Sequence, residues 1–261
     1  MFDKNRFFLT KIVRFLKMNY KSLIFRIMFM AVALLPMEAL GLRLEITGPI
    51  KEGEYIDRTD RDEVVVAEGC GITEIPDYAF LGCGSLKKVT LPEGLKKIGF
   101  QAFSECSDLR EINLPGSLED IGSNSFAYCS ALDGLRFPAG LKHIGHNAFS
   151  FCSSLKEAIL PDSLEEIESY AFSDCEALSR VRLPANGNLL GELMMNCCPR
   201  LVEIVAPSPE APKFDCESFI FDPEDVAAYE RCVLQVPENA MDSYNVSKSW
   251  QMFNKIAMSR E

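Results

Sequence analysis

The sequence lacks several common catalytic and phosphate-binding motifs. It contains no glycine-rich phosphate loop, no His-Glu-x-x-His, no Gly-x-Ser-x-Gly and no Cys-x-x-Cys. Its only histidines are His143 and His146. A general base needs a nucleophile or an acid arranged around it, and the sequence around these histidines predicts no such arrangement. We therefore predict a protein without catalysis, cofactor or metal, with both histidines exposed. An enzyme that uses His143 with Glu165 or Glu166 is the alternative.

Basic residues are scarce beyond the N-terminal segment. The first 41 residues carry seven basic and two acidic side chains, and the whole chain has a net charge of −11, so residues 42–261 carry −16. Such an acidic body repels phosphate backbones and anionic lipids. We predict no nucleic-acid partner, and a protein partner with a positively charged surface.

The N-terminal segment is typical of a secretory signal peptide. An apolar run from Ile27 to Leu35 follows the basic residues and precedes the small-residue site Ala39–Gly41. The run is shorter than the roughly 20 residues of a membrane-spanning helix. We predict a signal peptide over residues 1–41, with Met18 as an alternative start and an uncleaved anchor as the alternative interpretation. The mature domain would then be extracellular, at the cell surface or periplasmic, without membrane contact.

A period of 23 residues organises the centre of the chain. Four residue types recur in phase. The recurring positions are Phe80, Phe103, Phe126, Phe149 and Phe172; Cys83, Cys106, Cys129, Cys152, Cys175 and Cys198; Leu86, Leu109, Leu132, Leu155, Leu178 and Leu201; and Pro92, Pro115, Pro138, Pro161, Pro184 and Pro207. One coil cannot bury its apolar face alone, so the period predicts stacked coils.

Each unit contains one clear strand pattern. In LREINLP the residues alternate, which directs Ile112 and Leu114 inward. Glu111 and Asn113 then face outward. The segment Gln101–Cys106 has helix-like spacing. The sequence predicts an α/β repeat with parallel in-register strands.

This pattern resembles the BspA-like leucine-rich repeats of surface and secreted proteins from Bacteroides-type bacteria. The shared unit is (I/L)xxIxxxAFxxCxxLxxVxLP, and the match runs from Ile72 to Pro207. The resemblance implies a leucine-rich-repeat solenoid of about six coils over residues 71–207. It also implies a protein-binding or adhesive module that contacts a host or bacterial surface component.

The ends of such a solenoid need caps, because an open coil exposes apolar surface and strand edges. We predict an N-terminal β cap over residues 42–70 and a C-terminal cap over residues 208–261. The latter would contain a strand near Val233–Val236 and a helix near Asn239–Phe253, with Trp250 in a structural role.

The cysteines occupy inward repeat positions, where a small apolar side chain packs well. In-register side chains point alongside one another, so we predict no disulfide ladder. Cys216 and Cys232 are the more natural pair.

Charge alternates between coils at the two positions after the first leucine of each unit. The series reads Glu74; Lys96 and Lys97; Glu119 and Asp120; Lys142 and His143; Glu165 and Glu166. Equivalent residues on adjacent coils are neighbours, so opposite charges meet at cross-strand distance. We predict that this charge ladder holds the register of the coils.

Two groups of outward residues remain for ligand binding. The first is a strand stripe of five positions: Thr90, Asn113, Arg136, Ile159 and Arg182. The second is the aromatic pair Tyr128 and Phe151, which suits a protein or sugar ligand. A carbohydrate-binding or envelope-structural protein is the alternative function.

Overall fold

The computed structural model describes residues 43–186, 189–214 and 219–259. The predicted signal peptide over residues 1–41 lies outside these residues, as does Cys216. Within the described ranges, no helix combines the length and apolar character that crossing a membrane requires.

Short parallel strands make up most of the regular structure. In chain order they are β1 (Arg43–Ile46), β2 (Glu63–Val66), β3 (Glu74–Ile75), β4 (Lys88–Thr90), β5 (Lys97–Ile98), β6 (Glu111–Ile112), β7 (Asp120–Ile121), β8 (His143–Ile144), β9 (Glu157–Ile159), β10 (Glu166–Ile167), β11 (Arg180–Arg182), β12 (Leu189–Leu190), β13 (Glu203–Val205), β14 (Val233–Val236) and β15 (Lys255–Met258). All pair in parallel with equivalent residues of the neighbouring coil, such as Val181 with Ala158. The predicted leucine-rich-repeat solenoid with in-register strands is confirmed.

The strands form three sheets. One has the order β12-β10-β8-β7-β5-β3 and contains the charge ladder. The other two have the orders β1-β2-β4-β6 and β15-β14-β13-β11-β9, and both use the LxxVxLP part of the repeat. We call the surface that these two sheets share the strand face. Between β6 and β9, one coil contributes no strand to it.

The segment predicted as helix-like is a series of turns. In the unit at residues 101–106, Gln101 and Glu105 both have positive φ values, 50° and 62°. An α-helix cannot continue through such residues. The turns instead place alternate N–H groups toward the next coil, where Phe103 N–H donates to the Ser125 carbonyl at 2.8 Å.

The core contains a column of stacked aromatic rings. Phe103 lies 5.1 Å from Phe80 and 5.4 Å from Phe126 between ring centroids, with nearly parallel planes. The repeat cysteines are buried free thiols, as predicted. Each also donates a hydrogen bond to a carbonyl of the preceding coil, for example from Cys129 Sγ to Phe103 O at 3.1 Å. The sequence predicted apolar packing of these thiols but not this hydrogen bond.

Residues 43–66 continue the stack by one further coil. The ring of Tyr55 stacks on Phe80 with 5.1 Å between centroids, and Tyr55 N–H donates to the Ala79 carbonyl at 2.9 Å. The 23-residue period does not identify this coil, because Tyr55 replaces phenylalanine and precedes Phe80 by 25 residues instead of 23.

The C-terminal part extends the strand face with β14 and β15 and adds two short helices, α1 (Val226–Arg231) and α2 (Met241–Val246). The helix predicted near Asn239–Phe253 is therefore too long: a 3₁₀ turn (Glu238–Ala240) leads into α2, which ends because Ser247 is extended.

Trp250 is fully buried, and its indole N–H donates to the Pro212 carbonyl at 2.9 Å. Its structural role is confirmed. Trp250, Phe253 and Ile256 recur at helical spacing in the sequence but do not share a helix, since Trp250 lies in a turn and Ile256 in β15. Cys232, the described member of the predicted cysteine pair, is a buried free thiol.

Candidate functional site

Tyr128 and Phe151 form a stacked pair on the surface. Their ring centroids lie 4.5 Å apart and their planes differ by 5°. Tyr128 remains 49% exposed and Phe151 40% exposed, although each covers one face of the other. The predicted adjacency and exposure of the pair agree with the structure.

Both aromatic residues have a left-handed backbone conformation, with φ values of 63° and 59°. The fold requires this conformation at the position in every coil, since Gly82, Glu105 and Asp174 there also have positive φ. Glycine adopts it freely, and aspartate tolerates it. The fold thus explains the backbone but not the choice of two large aromatic side chains.

A surface cleft of about 430 Å³ begins at Phe151. Its lining also includes Asp174, Glu176, Cys197 and Arg200. A ligand that covers the aromatic pair would therefore also meet charged groups of both signs. This arrangement suits the mixed chemistry of a protein surface.

The strand stripe is only partly free for binding. The Asn113 side chain accepts from Leu91 N–H at 2.7 Å and donates to the Leu91 carbonyl at 2.8 Å, so it replaces strand backbone. Arg182 is held by Asp162 at 3.0 Å. Thr90 is half-buried, whereas Ile159 is 40% exposed. Two of the five predicted side chains thus serve the solenoid itself.

Arg136 lies where the strand face is interrupted. Within the described chain, residues 133–137 form no backbone hydrogen bond with either neighbouring coil. As a result β6 and β9 are edge strands in the middle of the solenoid. A cleft of about 940 Å³ opens here, and residues from coils on both sides of Arg136 line it. We call this opening the strand-face cleft.

The sequence contains a signal for this interruption that the 23-residue period does not reveal. Gly134 occupies the outward strand position at which neighbouring coils have Glu111 and Glu157. Glycine weakens a strand because it contributes no side chain to pack and loses more entropy on ordering. In the same coil Phe137 replaces the usual leucine, and its ring packs edge-on against Phe149 with 5.4 Å between centroids.

The charge ladder is present on the opposite sheet. Glu119 contacts Lys96 at 2.5 Å and Lys142 at 2.8 Å, and Lys97 contacts Glu74 at 3.4 Å. Hydrogen bonds from Lys142 and Lys96 lower the pKa of Glu119 to about 2. The alternating charges therefore form ion pairs between adjacent coils, as predicted.

The prediction that both histidines are exposed is wrong. His146 is half-buried and lies edge-on to Tyr170. His143 is also half-buried and is held by two carboxylates. Its Nδ1 lies 2.7 Å from Asp120 and its Nε2 lies 3.0 Å from Glu168. The hydrogen bond to Asp120, aided by the one to Glu168, raises the pKa of His143 to about 9 against the opposing effect of burial. Glu168 stands where four other coils have glycine, and it also accepts from His146 N–H at 2.7 Å. The carboxylates that hydrogen-bond to His143 are thus Asp120 and Glu168. Glu166 is the parallel-strand neighbour of His143, but within the described chain neither Glu165 nor Glu166 forms an ion pair with it.

No group of three or more histidine, cysteine or acidic side chains in the described ranges is arranged to hold a metal ion. Burial raises the pKa of the Cys152 thiol to about 12, so this thiol stays protonated at neutral pH.

Comparison with protein-family models shows which family the chain belongs to. A model of the BspA-type leucine-rich repeat region matches residues 73–211 in six copies, more than half of the sequence. The protein belongs to the BspA-type leucine-rich-repeat family. Among curated proteins, the sequence finds no match.

Solved structures of leucine-rich-repeat proteins resemble this BspA-type protein. The leucine-rich repeat protein of T. pallidum is 29% identical, with a TM-score of 0.55 over 76% of this chain and 87% of that chain. A leucine-rich repeat protein from Bacteroides ovatus is 17% identical, with a TM-score of 0.40 over 85% and 70% of the two chains. The pneumococcal vaccine antigen PcpA is 19% identical, with a TM-score of 0.34 over 78% of each.

Proposed function

We propose that this BspA-type protein is an exported protein-binding module that acts in adhesion outside the cytoplasm. The observation that carries the proposal is the exposed stack of Tyr128 on Phe151 at positions where the backbone is left-handed. A bulky residue in that conformation costs about 1–2 kcal/mol relative to a right-handed one. Neither residue packs in the core, so contact with a ligand is the role that we assign to the stack.

A protein ligand fits the surroundings of the pair. Exposed tyrosine and phenylalanine side chains provide large apolar contact areas with little entropy loss, and such residues are enriched in the centres of protein interfaces. Arg200 and Asp174, which both line the adjacent cleft, add charges of opposite sign that would orient a partner.

Site-specific cross-linking tests this function. A photoactivatable phenylalanine derivative at Tyr128 should capture a protein from host or bacterial surface extracts, and Phe151→Ala should abolish capture. The same derivative at Tyr78, a half-buried residue at a different repeat position, is the matched control. Identical products at the two positions, or none, would contradict the proposal. Binding to a glycan array that Tyr128→Ala abolishes would support the carbohydrate alternative.

Export has a separate test. Expression of the full chain in a Bacteroides-type host should yield a protein outside the cytoplasm that begins near residue 42, as N-terminal sequencing would show. A cytoplasmic protein of full length would contradict this part of the proposal, whereas a full-length envelope protein would support the uncleaved anchor.

A further inference from the structure

The strand-face cleft combines two features that are uncommon together. The first is unpaired backbone: within the described residues, the peptide groups of residues 133–137 have no hydrogen-bond partner, and β6 and β9 each end their sheet beside them. Interior edges of this kind are normally covered or blunted, because they pair readily with another extended chain. Gly134 leaves the opening clear, since a Cβ added there would meet nothing within 4 Å.

The second feature is local charge of the opposite sign to that of the whole domain. Lys88, Arg110, Arg136 and Lys156 line the cleft together with three acidic residues. Lys88 is paired with Glu111 at 3.0 Å, and Lys156 approaches Asp133 at 3.9 Å.

Within the described chain, Arg110 and Arg136 form no ion pair, and both are exposed. Two unpaired guanidinium groups in a body with a charge of −16 create a local site for carboxylates. The charge of the whole chain favours a positively charged patch on a partner, whereas these two groups favour a negatively charged segment.

From this combination we infer that the strand-face cleft binds an extended, acidic segment of a partner protein. The backbone of the segment pairs with the open peptide groups of residues 133–137, and its carboxylates contact Arg110 and Arg136. Addition of an extended peptide to a free sheet edge takes affinity from main-chain hydrogen bonds and specificity from side-chain contacts. The inference rests on the proposed protein-binding function and names the kind of segment that is bound.

Designed peptides test the inference directly. The probes are two fluorescent ten-residue peptides, one alternating glutamate with valine and the other alternating lysine with valine. Fluorescence anisotropy with the full chain should show binding of the glutamate peptide only. N-methylation of every second amide in that peptide should abolish binding, because it removes main-chain donors while keeping the charges.

Variants locate the site. Arg110→Ala and Arg136→Ala should each weaken binding of the glutamate peptide about tenfold, as expected for loss of a charge-assisted hydrogen bond. Gly134→Trp should block the cleft. Arg43→Ala, which removes an exposed arginine of β1 at the far edge of the sheet that ends in β6, is the matched control and should leave binding unchanged.

Three results would overturn the inference: equal binding of the lysine peptide, equal effects of Arg136→Ala and Arg43→Ala, or no effect of N-methylation. Cross-linking at Tyr128 is independent of the peptide assay. A failure of the cleft is therefore distinguishable from a failure of the proposed function.

Discussion

Phe126 and Tyr128 are two residues apart and face opposite environments. Phe126 is fully buried between Phe103 and Phe149, with ring centroids at 5.4 Å and 5.2 Å, whereas Tyr128 is 49% exposed. The left-handed conformation of Tyr128 and the alternating hydrogen bonds of this turn direct the two side chains to opposite sides. The same short segment therefore contributes to the core and to the candidate binding surface.

Substitution at these two positions should separate stability from binding. Phe126→Ala should lower the free energy of unfolding by about 3–5 kcal/mol, because it leaves a cavity in the aromatic column. Tyr128→Ala should cost about 1 kcal/mol or less, since only the exposed stack on Phe151 is lost. Chemical denaturation of both variants measures the difference, and equal losses would contradict the inside and outside assignment.

Stability should depend on the protonation of His143. Its pKa is raised from the ordinary value of about 6.5 to about 9, so its contribution is complete below pH 6.5 and is lost as the pH rises through 9. We expect a loss of about 1 kcal/mol over this interval, because solvent screening reduces the effect of the pKa difference. Urea denaturation at several pH values should show this slope.

Two variants identify the group responsible for the pH dependence. His143→Gln should flatten the slope, and His146→Gln should retain it. A slope in His143→Gln equal to that of the unmodified protein would exclude His143 as its origin.

The repeat cysteines should resist thiol reagents in the folded protein. Burial raises the pKa of Cys152 to about 12 and that of Cys129 well above its ordinary value, so neither presents a thiolate at neutral pH. Cys197, which is exposed, should be labelled by iodoacetamide before either of them. Mass spectrometry with and without denaturant measures the order, and early labelling of Cys129 would contradict the buried arrangement.

The C-terminal end of the solenoid should depend on Trp250. Trp250→Phe removes the indole donor to the buried Pro212 carbonyl and should cost about 1–3 kcal/mol. Val246→Ala, at a residue that is 81% exposed, is the control and should cost less than about 0.5 kcal/mol. Thermal denaturation of the two variants should therefore give clearly different midpoints.

Much of the fold was predictable because each coil repeats the same constraints. Phe103, Cys106 and Leu109 have fixed roles in a 23-residue unit, and the register of the strands follows from stacking identical units. The coil around Tyr55 and the short helix α2 were not predictable in this way. Their spacing is set by contact with the adjoining coil and with Trp250, so the local sequence has no matching period.

The candidate sites were predictable only in part. The adjacency of Tyr128 and Phe151 follows from the period, since equivalent residues of successive coils must be neighbours. The roles of Asn113 and Arg182 do not follow from the period. The strand pattern places both side chains on the outside, but bonds to the preceding coil occupy them.

The sequence by itself determined the family, the 23-residue coil, the inward aromatic column and the alternating charges, because short-range periodicity encodes contacts between equivalent positions. The tertiary structure decided which outward groups remain unpaired. It closed Asp120, His143 and Glu168 into one bridge and left Arg110 and Arg136 open beside an interrupted sheet. These outcomes depend on how each coil deviates from its neighbours, which a repeat pattern does not describe.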